Sequence, residues 1–333
     1  MNLVVFNFEM NKNSHVLAFA IDWINEIAKH VNKLYVVSLR CGEFDVAKNV
    51  EVFCVNQNKK TRLNTIFSIW KILYKIHKQN KIDGYFVHMA HYFVPIIYPF
   101  AKLFRQKIVL WYAHTAVPFS LKIANFLIDI AVTSTENGYN IKSDKLKVLS
   151  QGINVEKLQL KNIKNIKAVA TIGRITPIKN TKLIVEAFLK LDKKLYIIGD
   201  AIGKKDKEYL EEIKKIIPPN ANNIIFLGVM KFDELLKFYQ NIDLTINLGD
   251  GALDKVILES MACGIPVVTS NSSAKKIFPH LSNKGVYLID KDQIFEVVKK
   301  IKLKDIDSKA LREEVIKNHS LENLIKNIIK EFK

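Results

Sequence analysis

The chain of 333 residues has only three cysteines, Cys41, Cys54 and Cys263. Their odd number and the lack of a CxxC pair argue against a disulfide framework or a zinc site. The opening residues Met-Asn-Leu-Val-Val-Phe-Asn-Phe-Glu have no basic stretch, long apolar run or small-residue cleavage site. A reducing cytoplasm is therefore the expected location. Long hydrophobic runs are also missing. The longest uncharged stretch, residues 84–101, holds His88, His91, Pro95 and Pro99, and reads as a strand plus a helix rather than a membrane span. Arginine occurs five times, so lysine carries nearly all the positive charge. Base-edge readout favours arginine forks, and no nucleic-acid motif is visible, so no nucleic-acid partner is expected. Glycine is absent where a dinucleotide site needs it. The first predicted strand runs into Glu9-Met-Asn-Lys-Asn-Ser-His15 with no GxGxxG, and a P-loop is lacking too. There is no low-complexity tract and no fixed-period repeat.

What is present suits two domains. Hydrophobic residues make up 49%, enough for two cores, and the net charge is +18. Residues 1–166 carry 22 basic and 11 acidic side chains. Such an excess serves polyanionic ligands or an anionic membrane face, or is simply solvated lysine. Short β-branched runs alternate with helical patterns, the signature of βαβ units and parallel sheets. Strands are predicted at 3–8, 34–39, 50–55, 84–88, 107–112, 130–133 and 147–149, with helices between them, for example 16–30 and 62–79. The polar stretch 161–167 reads as a linker. Strands resume at 168–172, 194–198, 223–227, 244–247, 266–269 and 285–288, and residues 306–333 read as helical. The expectation is an α/β protein of two tandem Rossmann-like, doubly wound domains, 1–160 and 167–304, then C-terminal helices at 305–333. The space between two such domains is the default ligand site.

Two segments carry chemistry. Gly173-Arg-Ile-Thr-Pro-Ile-Lys-Asn180 ends a predicted strand and leads to a helix that Asn180 or Thr181 can cap. Gly173 permits close backbone approach, Arg174 offers a planar fork, and Lys179 a point charge. Cations beside a helix start suit a diphosphate, whose negative charge grows as a bond to it breaks. The bland alternative makes both residues surface ion-pair partners. The second segment is Gly249-Asp-Gly-Ala-Leu-Asp-Lys-Val-Ile-Leu-Glu-Ser-Met-Ala-Cys-Gly264. Backbone N–H groups of Gly249 and Gly251 offer a second phosphate nest. Glu259 lies two turns into the helix, where a carboxylate can accept hydrogen bonds from a ribose diol. Alternatively, Asp250 or Asp254 is an N-cap and Glu259 is solvated. The apolar neighbours of Glu259 point to burial, and a buried carboxylate needs partners.

These two segments, with the following Ile-Pro-Val-Val268, resemble the signature segments of retaining GT-B-fold glycosyltransferases of family 4. Val148-Leu-Ser-Gln-Gly-Ile-Asn154 and Asn318-His-Ser-Leu-Glu322 extend the resemblance, and Trp111-Tyr-Ala-His114 carries it weakly into the first half. The resemblance implies that Arg174 and Lys179 hold the donor diphosphate and that Glu259 binds the donor ribose. It implies that His114 faces the donor sugar, and that Gly199-Asp200 and Gly228-Val229 flank the base. It also implies a final helix crossing back onto the first domain, and retention at the anomeric carbon through an oxocarbenium-like transition state. No metal is implied, and Asp290-Lys-Asp292 reads as a helix cap. The co-substrate would be a UDP- or GDP-linked sugar, with no other cofactor, and the transferred group a hexosyl or N-acetylhexosaminyl unit.

One departure is plain. The family places a first glutamate eight residues before the second. Here that position is Gly251, followed by Ala252-Leu-Asp254 in place of Gly-Phe-Gly. Asp250 or Asp254 then takes the role, or the role is absent. The expectation is that Asp254 and Lys255 border the donor sugar.

On the acceptor side, Asn11, Asn13 and His15 follow the first strand and are placed in the acceptor pocket by position. Residues 62–79 make a basic amphipathic helix. Leu63, Ile66, Phe67, Trp70, Leu73 and Tyr74 are read on one face, with Lys71, Lys75 and Lys78 on another. Residues 92–107 add aromatics followed by Lys102, Arg105 and Lys107. The favoured reading puts the apolar face in the core. The alternative rests it on the cytoplasmic leaflet of an anionic membrane, near a lipid-linked acceptor. The leading function is a glycosyltransferase acting on a glycan or lipid-linked acceptor in surface polysaccharide or glycolipid assembly. A non-catalytic nucleotide-sugar or glycan-binding protein and a nucleotide-sugar 2-epimerase are the alternatives.

Overall fold

The computed structural model describes residues 1–14, 17–55, 61–282 and 284–333. The described residues divide into two compact units. The first is Met1–Gly152 with Leu321–Lys333, and the second is Ile153–Ser320.

In the first unit the strands are β1 (Asn2–Met10), β2 (Lys33–Cys41), β3 (Val50–Cys54), β4 (Gly84–His88), β5 (Lys107–Trp111), β6 (Ile130–Thr133) and β7 (Leu146–Val148). The helices are α1 (Ala20–Ala28), α2 (Arg62–Gln79), α3 (Val94–Leu103) and α4 (Phe119–Leu127). The strands form one parallel sheet in the order β3-β2-β1-β4-β5-β6-β7. A parallel sheet is covered on both faces, so its strands read as continuous apolar runs whose side chains alternate between two cores. Val4, Phe6, Tyr85 and Val87 pack beneath α2, α3 and α4. Leu3, Val5 and Phe86 pack against α1 and the closing helix of the chain.

In the second unit the strands are β8 (Ala168–Ile172), β9 (Lys194–Ile198), β10 (Ile224–Gly228), β11 (Leu244–Asn247), β12 (Val267–Thr269) and β13 (Val286–Leu288). The helices are α5 (Thr181–Phe188), α6 (Lys204–Ile216), α7 (Phe232–Phe238), α8 (Lys255–Ala262), α9 (Ser272–Ile277), α10 (Ile294–Lys300) and α11 (Ser308–His319). The order β10-β9-β8-β11-β12-β13 is again parallel. α12 (Leu321–Lys330) returns to the first unit, where Leu324, Ile325 and Ile328 join the core of Ile21 and Ile24.

Three expectations change. First, the first unit ends at Gly152, not near 160, and α11 belongs to the second unit. The stretch 161–167 is not a free linker. Lys161 Nζ donates to Asp243 Oδ1 at 2.8 Å and to the Ile242 carbonyl, while Asp243 Oδ2 accepts from the backbone of Lys167 and Ala168. Arg312 likewise holds the carbonyls of Val155, Leu158 and Ala262. Polar, aperiodic sequence is here a pinned segment because its charges are matched from elsewhere in the unit. Second, Cys41 and Cys54 form a disulfide with Cα atoms 5.9 Å apart. Sequence spacing missed it because the pairing comes from adjacent strands, β2 and β3. Third, the face read on α2 splits. Leu73 is buried with Ile69 and Ile76, whereas Leu63, Phe67, Trp70 and Tyr74 are exposed.

Candidate functional site

In a doubly wound sheet, ligands gather at the carboxyl ends of the strands where the order reverses. In the second unit that point lies between β8 and β11, neighbours that are distant in sequence. Both signature segments start there. β8 runs into Gly173–Asn180 and β11 runs into Leu248–Asp254. Gly173, Arg174, Lys179, Asn247 and Gly249 line one recess.

Glycines shape its floor. Gly199 has φ +136°, and a Cβ there would lie 1.9 Å from the Gly173 carbonyl oxygen. Only glycine lets the turns after β8 and β9 stack this closely. Gly173 N–H donates to Ile198, Gly199 N–H to Gly228, and Ile175 N–H to Asp200. Asp200 turns its carboxylate back onto Ala201 N–H. Gly228 follows with φ +68°, and Val229 is exposed beside it.

The two cations differ. Arg174 is exposed and makes no hydrogen bond or ion pair among the described residues. Lys179 Nζ donates to Asp254 Oδ2 at 2.5 Å, and Asn247 Nδ2 donates to the same oxygen at 2.8 Å. Asn247 Oδ1 is buried with no hydrogen-bond partner among the described residues. Asn180 sits at the N-cap of α5 with φ +54°, yet its side chain does not cap. Its amide donates to the Leu248 carbonyl at 2.8 Å, tying one segment to the other.

The Gly249–Leu253 loop is fastened from the start of α9. Asn271 donates to the carbonyls of Gly249 and Ala252, while its Oδ1 accepts from Ala274 N–H. Ser273 Oγ donates to the Gly251 carbonyl. Asp250 Oδ1 accepts from Ser272 N–H and Gly251 N–H. Hydrogen bonds from Ser272 and then Gly251 hold its carboxyl below the ordinary value. This corrects two expectations. The Gly251 N–H is spent on Asp250 rather than open for a phosphate. Asp254, although at the N-cap of α8, makes no capping hydrogen bond.

Glu259 is buried in α8, and Tyr239 donates its hydroxyl to Oε2 at 2.8 Å. Burial raises the Glu259 pKa, and the Tyr239 hydrogen bond and Lys255 charge only partly oppose this. Tyr239 itself is pushed well above its usual value by its own burial and by that carboxylate. Asp290 joins a capping box with Gln293 and accepts from Lys275 Nζ. Among the described residues no three His, Cys, Asp or Glu side chains gather as a metal site.

The remaining candidates belong to the first unit. His114 is exposed in the loop after β5, and its Nδ1 accepts from Ala116 N–H at 3.0 Å. With Nδ1 accepting, Nε2 is the ring nitrogen that can donate. Asn11 Oδ1 accepts from Asn13 N–H, and Asn13 Nδ2 donates to Glu43 at 3.3 Å. His15 lies outside the described residues. Sequence reasoning missed Asn247, Asn271 and Tyr239. The first two were visible only as polar residues at the carboxyl ends of predicted strands, and Tyr239 carried no signal.

Residues 166–303 match the family model of group 1 glycosyl transferases. A relative from Methanocaldococcus jannaschii, named an uncharacterized glycosyltransferase, is 27% identical over 258 residues. The match covers 70% of this chain and 64% of that protein, so it spans less than two thirds of the relative's length. The crystal structure of Anabaena HepE in complex with UDP and glucose superposes with a TM-score of 0.76 at 16% identity, covering 99% of both chains. WaaG, a glycosyltransferase involved in lipopolysaccharide biosynthesis, gives 0.65 at 14% identity, again over 99% of both. At these identities the likeness speaks for the fold, two parallel-sheet α/β units of the GT-B kind.

Proposed function

We propose that this chain, whose residues 166–303 match the family model of group 1 glycosyl transferases, is a retaining glycosyltransferase that uses a nucleoside-diphosphate sugar. The observation that carries the reading is the unpaired Arg174 beside Lys179 at the β8/β11 reversal point, above the Gly173–Gly199 stack. A diphosphate needs close backbone approach and fixed cations, and both are gathered there. HepE, solved with UDP and glucose, supports a uridine nucleotide as the first donor to try.

In the proposed reaction the bond from the anomeric carbon to the diphosphate oxygen breaks. The acceptor hydroxyl oxygen bonds to that carbon as its proton passes to an oxygen of the departing diphosphate, and the nucleoside diphosphate leaves with the electron pair. Arg174 and Lys179 stabilise the charge that grows on the leaving oxygen more than they stabilise the bound donor. Glu259 takes the ribose hydroxyls, with its second oxygen held by Tyr239. Asp254 acts by fixing Lys179 rather than as a free acid, and Lys255 follows it at the start of α8. The transferred hexosyl or N-acetylhexosaminyl unit goes to a glycan or lipid-linked acceptor, and none of these steps calls for a metal.

A second reading, a non-catalytic nucleotide-sugar binder, draws on Gly251 standing where the family has an acid. Thermal shift against UDP, GDP, ADP, CMP and NAD, then product analysis with the matching sugar donors, tests both. A nucleotide at about 100 times its Kd stabilises by roughly 2.7 kcal/mol. A shift with one nucleoside diphosphate, lost in Glu259→Ala, supports the donor site. No shift with any of them overturns it, and binding without transfer to any acceptor favours the second reading.

A further inference from the structure

The first unit shows apolar side chains where a water-facing surface would normally be polar. At about 100° per residue, Leu63, Phe67, Trp70 and Tyr74 fall within about 60° of one another on α2. All four are exposed, Leu63 by 67% and Tyr74 by 65%. Lys71, Lys75 and Lys78 run along one flank of this stripe, also exposed, while Ile69, Leu73 and Ile76 face the core. On α4 the pattern repeats. Phe119, Ile123 and Phe126 point outward at i, i+4 and i+7, Phe126 by 81%, opposite the buried Leu121 and Ala124. Leu103 and Phe104 at the end of α3 are exposed as well. The three helices cover the same face of the sheet. Trp70 Nε1 donates to the Ile96 carbonyl at 3.0 Å, and His77 stacks on Phe104 with centroids 4.1 Å apart.

Charge singles out the occupant. α2, α3 and α4 contain no Asp or Glu. Residues 61–128 hold nine Lys or Arg against one acid, Asp83. A second copy of this face would bring like charges together, and a neutral apolar partner would leave the lysines without counterions. Aromatic and aliphatic tips with flanking lysines match an anionic lipid surface, where the tips enter the headgroup boundary and the ammonium groups meet lipid phosphates. No helix among the described residues is long and apolar enough to cross a membrane, so the contact is interfacial.

We propose that the outer face of α2, the end of α3 and α4 docks this protein on an anionic bilayer. The inference does not depend on the transfer reaction, and its test needs no nucleotide. The full chain is sedimented with phosphatidylglycerol–phosphatidylcholine vesicles and with pure phosphatidylcholine vesicles. Trp70 is the reporter, since Trp23 and Trp111 are buried. The expected result is pelleting with the anionic vesicles alone, with Trp70 emission shifted to the blue and quenched by brominated lipid. Lys71→Glu/Lys75→Glu and Phe67→Ser/Phe126→Ser, all at exposed positions, each lower the partition coefficient about tenfold, and added salt removes the difference between Lys71→Glu/Lys75→Glu and the native chain. Absence of pelleting overturns the proposal, and so does pelleting that neither variant weakens. Self-association in sedimentation equilibrium that Phe67→Ser/Phe126→Ser abolishes overturns it too, by assigning the face to a second copy.

Discussion

Lys179 Nζ donates to Asp254 Oδ2 at 2.5 Å, across 75 residues of chain. The pair joins the loop after β8 to the start of α8, and Asn247 completes it by donating to the same oxygen. Gly249 makes room for it, since a Cβ there would lie 2.7 Å from Lys179 Cδ. The aspartate sets where the cation stands and leaves Arg174 as the freer charge. In the proposed reaction Lys179→Ala lowers kcat/KM by about 10²–10³-fold. Asp254→Ala lowers kcat about tenfold with a smaller change in nucleotide Kd, because it loosens the lysine without removing it. The double variant is no worse than Lys179→Ala alone, so the coupling in a double-mutant cycle equals the whole Asp254→Ala effect, about 1.4 kcal/mol. Additive effects, or an Asp254→Ala enzyme with native kcat and KM, would refute this role.

Glu259 provides a separate handle. Its pKa is raised by burial, so its contribution to folding is favourable below the ordinary 4.5 and is lost as pH rises through the raised value. A ribose diol donates to the ionised carboxylate and reverses that balance. Nucleotide affinity is therefore expected to fall on acidification, starting above the usual glutamate range. Glu259→Gln keeps a partner for Tyr239 but flattens this dependence and weakens binding about tenfold. A 2′-deoxy nucleotide should bind more weakly than its ribose form to the native chain, and equally to Glu259→Gln. Calorimetric titration across pH reads both effects. An unchanged preference for ribose in the variant would place the diol elsewhere.

Much of the fold was legible in the sequence. Alternating β-branched runs and helices announced two parallel sheets because strands buried on both faces must be apolar throughout. Arg174, Lys179 and Glu259 stood out because a strand end, a glycine and a charge at fixed offsets are local properties. What stayed hidden was non-local. The Lys179–Asp254 pair, the Tyr239 hydroxyl on Glu259 and the Cys41–Cys54 bond each join segments that only the fold brings together. The α2 stripe was misassigned for a related reason. Leu73 and Tyr74 are adjacent on the helix, and only packing decides which of them the sheet covers.

The stack of turns predicts one intolerant position. At Gly199 a methyl group would enter the Gly173 carbonyl, and φ +136° is strained for any side chain. Gly199→Ala should lower stability by about 2–4 kcal/mol, because the clash is with backbone and cannot be relieved by a rotamer. Gly203→Ala is the control, since its φ is also positive but a Cβ there meets nothing within 4 Å. Chemical denaturation compares them. Equal losses in the two variants would mean that strain alone, not the close approach of the turns after β8 and β9, decides the cost.

His319, at the end of α11, makes the pH response of the fold testable. It is 6% exposed and packs on Phe278, and neither ring nitrogen has a hydrogen-bond partner among the described residues. Burial lowers its pKa from 6.5 to about 4, against the opposing charge of Glu314. A base with a depressed folded pKa stabilises fully above 6.5, and that contribution drains away as pH falls toward 4. The gap corresponds to about 3 kcal/mol. His319→Leu removes two unpartnered polar atoms while keeping most of the volume. Its Tm at pH 7.5 should equal or exceed that of the native chain. Between pH 6.5 and 4 the native Tm should fall more steeply than the variant's, so that the two curves diverge in acid. Parallel curves over that window would mean that the imidazole is solvated when it protonates, and that the acid sensitivity of the fold resides in other groups.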